Sequence, residues 1–369
     1  MADSSATNPF VWLAPLIALV YLARRQIWAV LKWLHTPRHA VRPPVQAGEV
    51  SELVIYPVKA CKGISVKRAR IGPTGFDFDR HWVVVTEDER GRFKTQRNEP
   101  KLALVQTSLP GHAFTGNTAI TPSDFLELRA PGREPLKVPL LPDPAAEKNL
   151  RSVSVWEWDG KGRDEGETAA QWLSEYLGKR CRLLGYSGKG EKWGNPTRRP
   201  TATEFAEGYE VGFADGFPFL LATRESLDDL NTRLKQQLPM NRFRPNIIVN
   251  DCKGAWQEDF WAGFQIMSPR SHKGVPFRSV KPCSRCKVTT TDQSTGVASP
   301  EREPLTTLGS FRSGETLGWT EPKDFAKEVF FGWNLVCEQG SAMLLVGDLI
   351  MVDNWRQQEG RTPAQKKTD

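Results

Sequence analysis

Short apolar segments alternate with glycine- and proline-containing turns along much of the chain. Many of them are rich in β-branched and aromatic residues, which fit the pleated surface of a sheet. In the N-terminal half they lie at residues 53–58, 66–71, 82–86, 102–107 and 126–128. Several short strands at such spacing predict a sandwich or a barrel.

Two segments have the period of an amphipathic helix instead. Residues 165–177 place several apolar side chains on one face, and Gly178 follows as a stop signal. Residues 224–237 carry leucines at helical spacing after Thr223, which can cap the first turn. The second helix should end before Pro239, because a proline disfavours the helical conformation of the residue before it.

Strand patterns resume around these helices, at residues 153–158, 247–249, 264–267, 287–291, 344–346 and 349–352. Few helices separate the strands, which argues against a parallel, doubly wound sheet. The pattern predicts a β-rich α+β fold. At 369 residues the chain has room for two domains of ordinary size or one large one.

The N-terminus contains an almost wholly apolar run at residues 10–23. As a helix it would span about 21 Å, short of a bilayer core of about 30 Å unless small flanking residues and snorkelling arginines extend it. The basic flank follows the run, beginning with Arg24 and Arg25, so a signal anchor would leave the rest of the chain in the cytosol. A cleaved signal peptide is disfavoured, because the apolar run has neither a basic n-region before it nor a small-residue cleavage site after it. A buried core helix is the remaining alternative.

Composition and charge narrow the classes of function. The net charge is +7, but basic and acidic residues are interleaved, and no basic stripe with aromatic residues of the nucleic-acid-binding type is present. Six cysteines in a chain of this length do not suggest a disulfide framework, which favours a reducing compartment.

The pair Cys283 and Cys286 is the candidate for chemistry, because thiolates are soft ligands that select soft metals. Arg285 lies between them and can bind an anionic oxygen bidentately. A structural zinc site would need more ligands than the spacing of the other cysteines and histidines offers. A thioredoxin-like redox pair would open a helix, whereas strand-like sequence flanks this pair. Two structural thiols are the third alternative.

Basic residues occur near the predicted strands in three other segments, at Lys59, Arg80 and Arg244, the last followed by Asn246. Any one of them alone would be read as a solvated side chain. Together with a thiolate they suggest a site for an anionic, sulfur-rich ligand. No phosphate-binding glycine loop of a nucleotide fold is present.

The motifs Y-P-V-K-x-C-K-G, D-R-x-W, N-R-F-R-P-N and C-S-R-C-x-x-T-T-x-D, in this order and spacing, resemble the MOSC family. More narrowly, the chain resembles its membrane-anchored amidoxime-reducing members over about residues 50–353. The resemblance implies an N-terminal β-barrel domain packed on a C-terminal MOSC β-barrel domain after a single transmembrane anchor. The expected segments are a tail at 1–9, an anchor with an interfacial helix at 10–34, a linker at 35–48, domains at 49–180 and 181–353, and a disordered tail at 354–369.

The resemblance also implies a molybdenum pterin cofactor, with Cys286 as the single metal ligand and Cys283 as a neighbour. The cofactor contacts that it implies are Lys59, Arg80, Arg244, Asn246, Ser284, Arg285 and Asn334. The chain departs from the animal relatives at Ala60, where they have serine, at Gly216-Phe217, where they have Thr-Ser, and at Asn334, where they have tyrosine. The run 268–279 is expected to be a surface loop near the site mouth.

The activity implied is the reduction of N-hydroxylated compounds such as amidoximes and hydroxylamines. Asp292 could orient a water or supply a proton if it faces the site, but a capping or turn role is favoured. No haem, flavin or iron–sulfur motif occurs in the chain, so electrons are expected from a b5-type cytochrome and its NADH-dependent reductase. The resemblance implies a monomer on the mitochondrial outer membrane, although the endoplasmic reticulum satisfies the same charge rule. A sulfur-carrier or cofactor-sulfurating module and a tethered binding protein are the alternatives.

Overall fold

The structure is a computed structural model that describes residues 43–116, 119–144, 148–187, 199–271 and 273–356. None of the helices in these ranges is long and apolar enough to cross a membrane. The predicted anchor at 10–34 and nearly all of the predicted C-terminal tail lie outside the described residues and stay predictions.

Most of the regular structure is β-strand. In chain order the strands are β1 Val45–Ile55, β2 Ile64–Val66, β3 Arg68–Gly72, β4 Gly75–Phe76, β5 Trp82–Thr86, β6 Gln106–Ser108, β7 Phe125–Arg129, β8 Leu136–Pro139, β9 Leu150–Val155, β10 Trp158–Asp164, β11 Cys181–Gly185, β12 Arg199–Pro200, β13 Glu210–Val211, β14 Phe219–Thr223, β15 Ile247–Asn250, β16 Trp261–Met267, β17 Val275–Ser284, β18 Phe330–Cys337, β19 Ala342–Leu345 and β20 Leu349–Trp355.

The helices lie between these strands and are short. The α-helices are α1 Glu167–Leu177, α2 Arg224–Arg233, α3 Leu305–Phe311 and α4 Gly314–Leu317. The 3₁₀ helices are Pro100–Leu104, Gly111–Phe114, Met240–Arg242, Gln257–Phe260, Lys287–Thr290 and Lys323–Lys327. The predicted β-rich α+β class is confirmed.

Seven strands close into a barrel in the order β15, β14, β18, β17, β16, β20 and β1, with β1 pairing back to β15. Neighbours are antiparallel except β14 and β15, which are parallel because α2 crosses between them. Apolar side chains from alternate positions, among them Leu53, Phe264 and Ile350, fill the interior without exposure to solvent. Because the sheet is closed, each of the seven strands pairs with a neighbour on both sides.

Strand β1 comes from the start of the described chain but belongs to this C-terminal barrel. It pairs with β15 on one edge, Leu53 opposite Ile247, and with β20 on the other, Val45 opposite Val352. It begins at Val45, inside the predicted linker, so this strand starts before residue 49. The barrel therefore needs both ends of the described chain.

The remaining N-terminal strands form a four-stranded sheet, β5-β11-β10-β9, and a three-stranded sheet, β6-β7-β8. Helix α1 buries Trp172, Leu173 and Leu177 in a core that also contains Leu126 and Leu183. The predicted helix at 165–177 is thus confirmed, and it ends at the left-handed Gly178. Because β11 pairs with β5, the four-stranded sheet extends past the predicted boundary between residues 180 and 181.

Two predicted strands are wrong. Residues 287–290 form a 3₁₀ helix, because the Thr289 hydroxyl donates to the Cys286 carbonyl and the Thr290 hydroxyl to that of Lys287, which stabilises a turn. Residues 100–104 also form a 3₁₀ helix, which begins at Pro100, and only a short strand follows it. In both segments local turn chemistry outweighs β propensity.

Two further boundaries differ from expectation. Helix α2 is capped by Thr223 as predicted but ends at Arg233, because the Asn231 amide then bonds both backbone groups of Leu238. The run 268–279, expected to be a loop, enters strand β17 at Val275.

Candidate functional site

A cleft opens where one end of the barrel meets the loops of the N-terminal sheets, and its empty volume is about 900 Å³ including the mouth. The cleft brings together nearly all of the predicted site residues, namely Lys59, Arg80, Arg244, Asn246, Ser284, Arg285, Cys286 and Asn334. Each of them lies in or beside a barrel or sheet strand, so the sheets fix the positions of residues far apart in sequence.

Cys286 lies just after strand β17 and begins the 3₁₀ turn Lys287–Thr290. Its carbonyl accepts hydrogen bonds from the Thr289 N–H and hydroxyl groups, which fixes the backbone at this point. Within the part of the chain that the structure describes, the Cys286 thiol itself makes no hydrogen bond. It is half-buried and lines the cleft, so it is placed to act as a ligand or a nucleophile.

Cys283 has a different environment although it also lines the cleft. Its sulfur accepts a hydrogen bond of 2.7 Å from Nη1 of Arg285. Burial raises the pKa of the Cys283 thiol against the effect of that cation. Nη2 of Arg285 donates a hydrogen bond of 2.7 Å to the Phe243 carbonyl. Arg285 therefore connects the end of strand β17 to the segment before β15.

Arg80 and Asn246 hold one wall of the cleft. Arg80 donates to the buried Asp79 carboxylate at 2.5 Å and to Oδ1 of Asn246 at 2.9 Å. The Asn246 amide also donates to the Val54 carbonyl at 3.0 Å, so it connects Arg80 to strand β1. The charge of Arg80 is therefore already balanced, and Asn246 serves to orient it.

Arg244 is a cation of the cleft that has no anionic partner among the described residues. Its backbone adopts a left-handed φ of 56°, and its guanidinium lies 4.3 Å from the centre of the Tyr56 ring. Burial raises the pKa of Tyr56 to about 12, so the phenol stays neutral. Among the described residues the Arg244 guanidinium has no hydrogen bond and no ion pair. A partly desolvated cation of this kind favours an anionic ligand.

Lys59 follows strand β1 and is buried, with its ammonium 2.5 Å from Oδ1 of Asp215 and 2.9 Å from the Phe213 carbonyl. Burial lowers its pKa to about 8 although Asp215 acts in the opposite direction. The next residue, Ala60, holds a left-handed φ of 70°, which is uncommon for a side chain with a Cβ. Its carbonyl accepts a hydrogen bond from the Gln96 amide.

Asp292 is the one predicted site residue that is not among the described residues lining the cleft. It accepts a hydrogen bond from the buried Arg242 at 2.8 Å and others from Ser294 and the Thr295 N–H group. These bonds lower its pKa to about 2, although burial opposes the shift. The geometry gives Asp292 a part in holding the turn after Cys286, and its role in proton transfer stays a prediction.

Gln96 and Gln293 form a buried amide pair behind the cleft. Each donates to the other, at 2.9 and 2.8 Å. Gln96 also donates to the Ala60 carbonyl at 2.7 Å, and Gln293 donates to the Thr291 carbonyl at 3.0 Å. The pair thereby joins the segment of Lys59 to the turn after Cys286.

We expect Gln293→Leu to lower the free energy of unfolding by about 1–3 kcal/mol, because it leaves the amide of Gln96 buried with unpaired atoms. The double variant Gln96→Leu/Gln293→Leu should lose less than the sum of the single losses. Denaturant unfolding of the four proteins measures this coupling. Gln171→Leu, at an exposed helix position, is the control and should stay within about 0.5 kcal/mol. Strict additivity would contradict the coupling.

Several cleft residues were missed by the sequence analysis, among them Gln96, Arg97, Trp156 and Asp215. Arg97 and Trp156 lie on loops of the N-terminal sheets, and the Arg97 guanidinium lies 4.5 Å from the centre of the Trp156 ring. The sequence analysis predicted one strand at residues 153–158, which is wrong at Trp156, because that residue lies in the turn between β9 and β10. Nothing in the local sequence marks Gln96 or Asp215.

The charges of the cleft do not cancel. Asp79 balances Arg80 and Asp215 balances Lys59, but Arg97, Arg244 and Arg285 have no carboxylate partner among the described residues. The half-buried Cys286 thiol therefore shares the cleft with three guanidinium groups that have no counter-ion among the described residues. This donor set fits a ligand that combines an anionic group with a soft metal.

Comparison with known protein families gives two matches. Residues 47–180 match the MOSC N-terminal beta barrel domain, and residues 208–351 match the MOSC domain. Both predicted domains are thus represented, and strand β17 and Cys286 fall in the second match.

Individual relatives agree with these matches. The chain is 36% identical to the mitochondrial amidoxime reducing component 2 of Rattus norvegicus over 72% of this chain and 73% of that protein. It is 37% identical to component 2 of Bos taurus over 72% and 73%. It is 33% identical to component 1 of Homo sapiens over 90% of this chain and 88% of that protein.

Proposed function

The chain belongs to the MOSC-domain family that includes the mitochondrial amidoxime reducing components, and we propose that it is a molybdenum-dependent reductase of N-hydroxylated compounds. The observation that carries the proposal is that the free Cys286 thiol and the Arg244 guanidinium line the same cleft. Neither group has a hydrogen-bond partner among the described residues. A soft ligand and a desolvated cation in the wall of one cleft fit a cofactor that carries both a metal and a phosphate.

The residues divide into those that hold the metal and those that hold the organic part. Cys286 is proposed as the protein ligand of molybdenum, and its fixed carbonyl keeps the thiolate in place. Arg244 and Arg285 would bind the anionic group. The positive charge of Lys59 is balanced by Asp215, and that of Arg80 by Asp79. Ser284 and Asn334 line the same cleft and add uncharged hydrogen-bonding groups.

When bound, the cofactor would supply the two-electron reduction of the N–O bond. For an amidoxime, that bond breaks, two electrons and two protons are taken up, and an amidine and water are released. The role of the protein is to hold the substrate in the cleft mouth and to exclude water from the thiolate. Residues Ala60, Gly216 and Phe217 also line this cleft, so the departures from the animal relatives lie beside the proposed ligand.

The electrons are proposed to come from outside the chain, from a b5-type cytochrome reduced by an NADH-dependent reductase. The support is that the sequence contains no haem, flavin or iron–sulfur motif. The same proposal includes a signal anchor and a cytosolic orientation, which rest on the sequence of residues 1–42. It also includes a location on the mitochondrial outer membrane, which rests on the names of relatives.

The test of the function is metal analysis of the purified protein together with turnover of benzamidoxime and an artificial one-electron donor. One molybdenum per chain with release of benzamidine supports the reductase. Molybdenum without turnover, but with sulfur transferred from a cysteine persulfide, would support the cofactor-sulfurating alternative. Stoichiometric zinc, or no metal and no turnover, would contradict both and leave a binding protein.

We expect Arg244→Met to weaken retention of the cofactor by about 10- to 150-fold, the equivalent of the roughly 1.5–3 kcal/mol of a hydrogen bond to a charged group. The measurement is molybdenum per chain after dialysis against increasing volumes of buffer. Arg224→Met is the matched control, because Arg224 is half-exposed and bonds Ser51 and Glu52 away from this cleft. Equal losses in both variants would contradict the assignment of Arg244.

A further inference from the structure

Trp156 lies on the rim of the cleft in an unusual conformation. It is the first residue of the two-residue connection between β9 and β10, in which Val155 pairs with Trp158. Its φ is 54°, a left-handed value that a bulky aromatic residue rarely adopts. Backbone strain of this kind is concentrated at binding sites, where the surrounding structure maintains it.

The indole ring is held from several sides but is not covered. Its Nε1 donates to Oδ1 of Asp215 at 3.0 Å, the Arg97 guanidinium lies 4.5 Å from the ring, and the Phe93 ring packs edge-on at 5.0 Å. Trp156 nevertheless keeps 37% of its surface exposed. The ring therefore presents an oriented aromatic surface at the mouth of the cleft.

Asp215 adds a hydrogen-bond acceptor beside that surface. Both of its cross-cleft bonds, from Lys59 and Trp156, go to Oδ1. Its side chain is 76% exposed, and Oδ2 has no partner within the described ranges. A planar group stacked on the indole would thus have a free carboxylate oxygen beside it, in position to accept from an N–H group.

We propose that Trp156 and Asp215 form a specificity rim that favours planar, conjugated N-hydroxylated substrates carrying an amino group over small aliphatic hydroxylamines. The inference rests on the proposed function for the reaction itself. An amidoxime joined to an arene has both required parts, a flat π surface and an NH₂ group. Its amidine product is a cation, which would donate a charge-assisted hydrogen bond to the free Oδ2 of Asp215.

The kinetic test compares benzamidoxime with N-methylhydroxylamine on the molybdenum-loaded full chain. Trp156→Ala should raise KM for benzamidoxime about tenfold, as loss of an aromatic contact implies, with kcat and molybdenum content unchanged. KM for N-methylhydroxylamine should not change. Trp156→Phe should restore most of the affinity for benzamidoxime, because it keeps an aromatic surface.

Trp355→Ala is the matched control, since Trp355 is exposed to the same 37% and lies at the end of β20 outside the residues lining this cleft. Equal rises in KM for both substrates, or an equal effect of the Trp355 variant, would overturn the proposal.

A titration calorimetry experiment with benzamidinium separates the two proposals, because it requires no turnover. The wild-type chain should bind it, and both Trp156→Ala and Asp215→Asn should weaken that binding. If no substrate is reduced but this pattern is seen, the reductase proposal fails and the rim stands as a site for planar cations. Undiminished binding in Trp156→Ala would exclude the rim whatever the activity.

Discussion

Replacing Cys286 by serine is expected to abolish molybdenum-dependent reduction, with a loss of at least about a hundredfold, because a hydroxyl is a hard, poorly ionised substitute for a soft thiolate ligand. The structure leaves this thiol without a hydrogen-bond partner among the described residues and places it in the cleft wall. Turnover of benzamidoxime and molybdenum per chain are the measurements.

Cys283→Ser is the matched variant three residues away. Its sulfur is already engaged by Arg285, and a serine hydroxyl can accept the same hydrogen bond. We expect it to keep its molybdenum and most of its activity. Equal loss in the two variants would contradict a single thiolate ligand and would support a redox disulfide or a thiolate pair instead.

Arg312→Ala is expected to give the largest loss of stability, about 3–5 kcal/mol, because it leaves the buried Asp259 without its cation. Arg312 donates to both carboxylate oxygens, at 2.7 and 3.1 Å, and Trp333 donates to the same group at 2.9 Å. Trp333 lies in β18, the strand that carries Asn334 into the cleft. A loss of stability of this size should lower the midpoint temperature of thermal unfolding by roughly 10 °C.

Two further variants test the cause of that loss. Asp259→Leu/Arg312→Met removes both charges and should recover much of the stability, because no unpaired charge is then buried. Arg129→Ala breaks a half-exposed pair with Glu127 and should change stability by less than about 1 kcal/mol. If the double variant is as unstable as Arg312→Ala, lost packing rather than the orphaned carboxylate is the cause.

The candidate site was predictable where its residues are close in sequence. Ser284, Arg285 and Cys286 form one contiguous motif, and the structure places all three in the cleft wall. The distant basic residues were found through the motifs of the resemblance, since composition alone gave each of them a solvated surface role. Asp292 belonged to the same motif, but its side chain turns to Arg242 instead of lining the cleft.

Most of the local elements were predictable from the sequence, because their signals are carried by neighbouring residues. The β-branched run of β5, the cap at Thr223 and the stop at Gly178 each depend on a few positions. The same short-range reasoning failed at residues 287–290, where threonine hydroxyls bond the preceding carbonyls and stabilise a turn in a segment of high β propensity.

Contacts between residues far apart in the sequence were not predictable in this way. Lys59 bonds Asp215 across 156 residues, Arg80 bonds Asn246 across 166, and Gln96 bonds Gln293 across 197. Strand β1 likewise closes a barrel with strands from the other end of the described chain. No local pattern encodes such pairings, because they follow from the register of the closed sheet and from the need of each buried polar group for a partner.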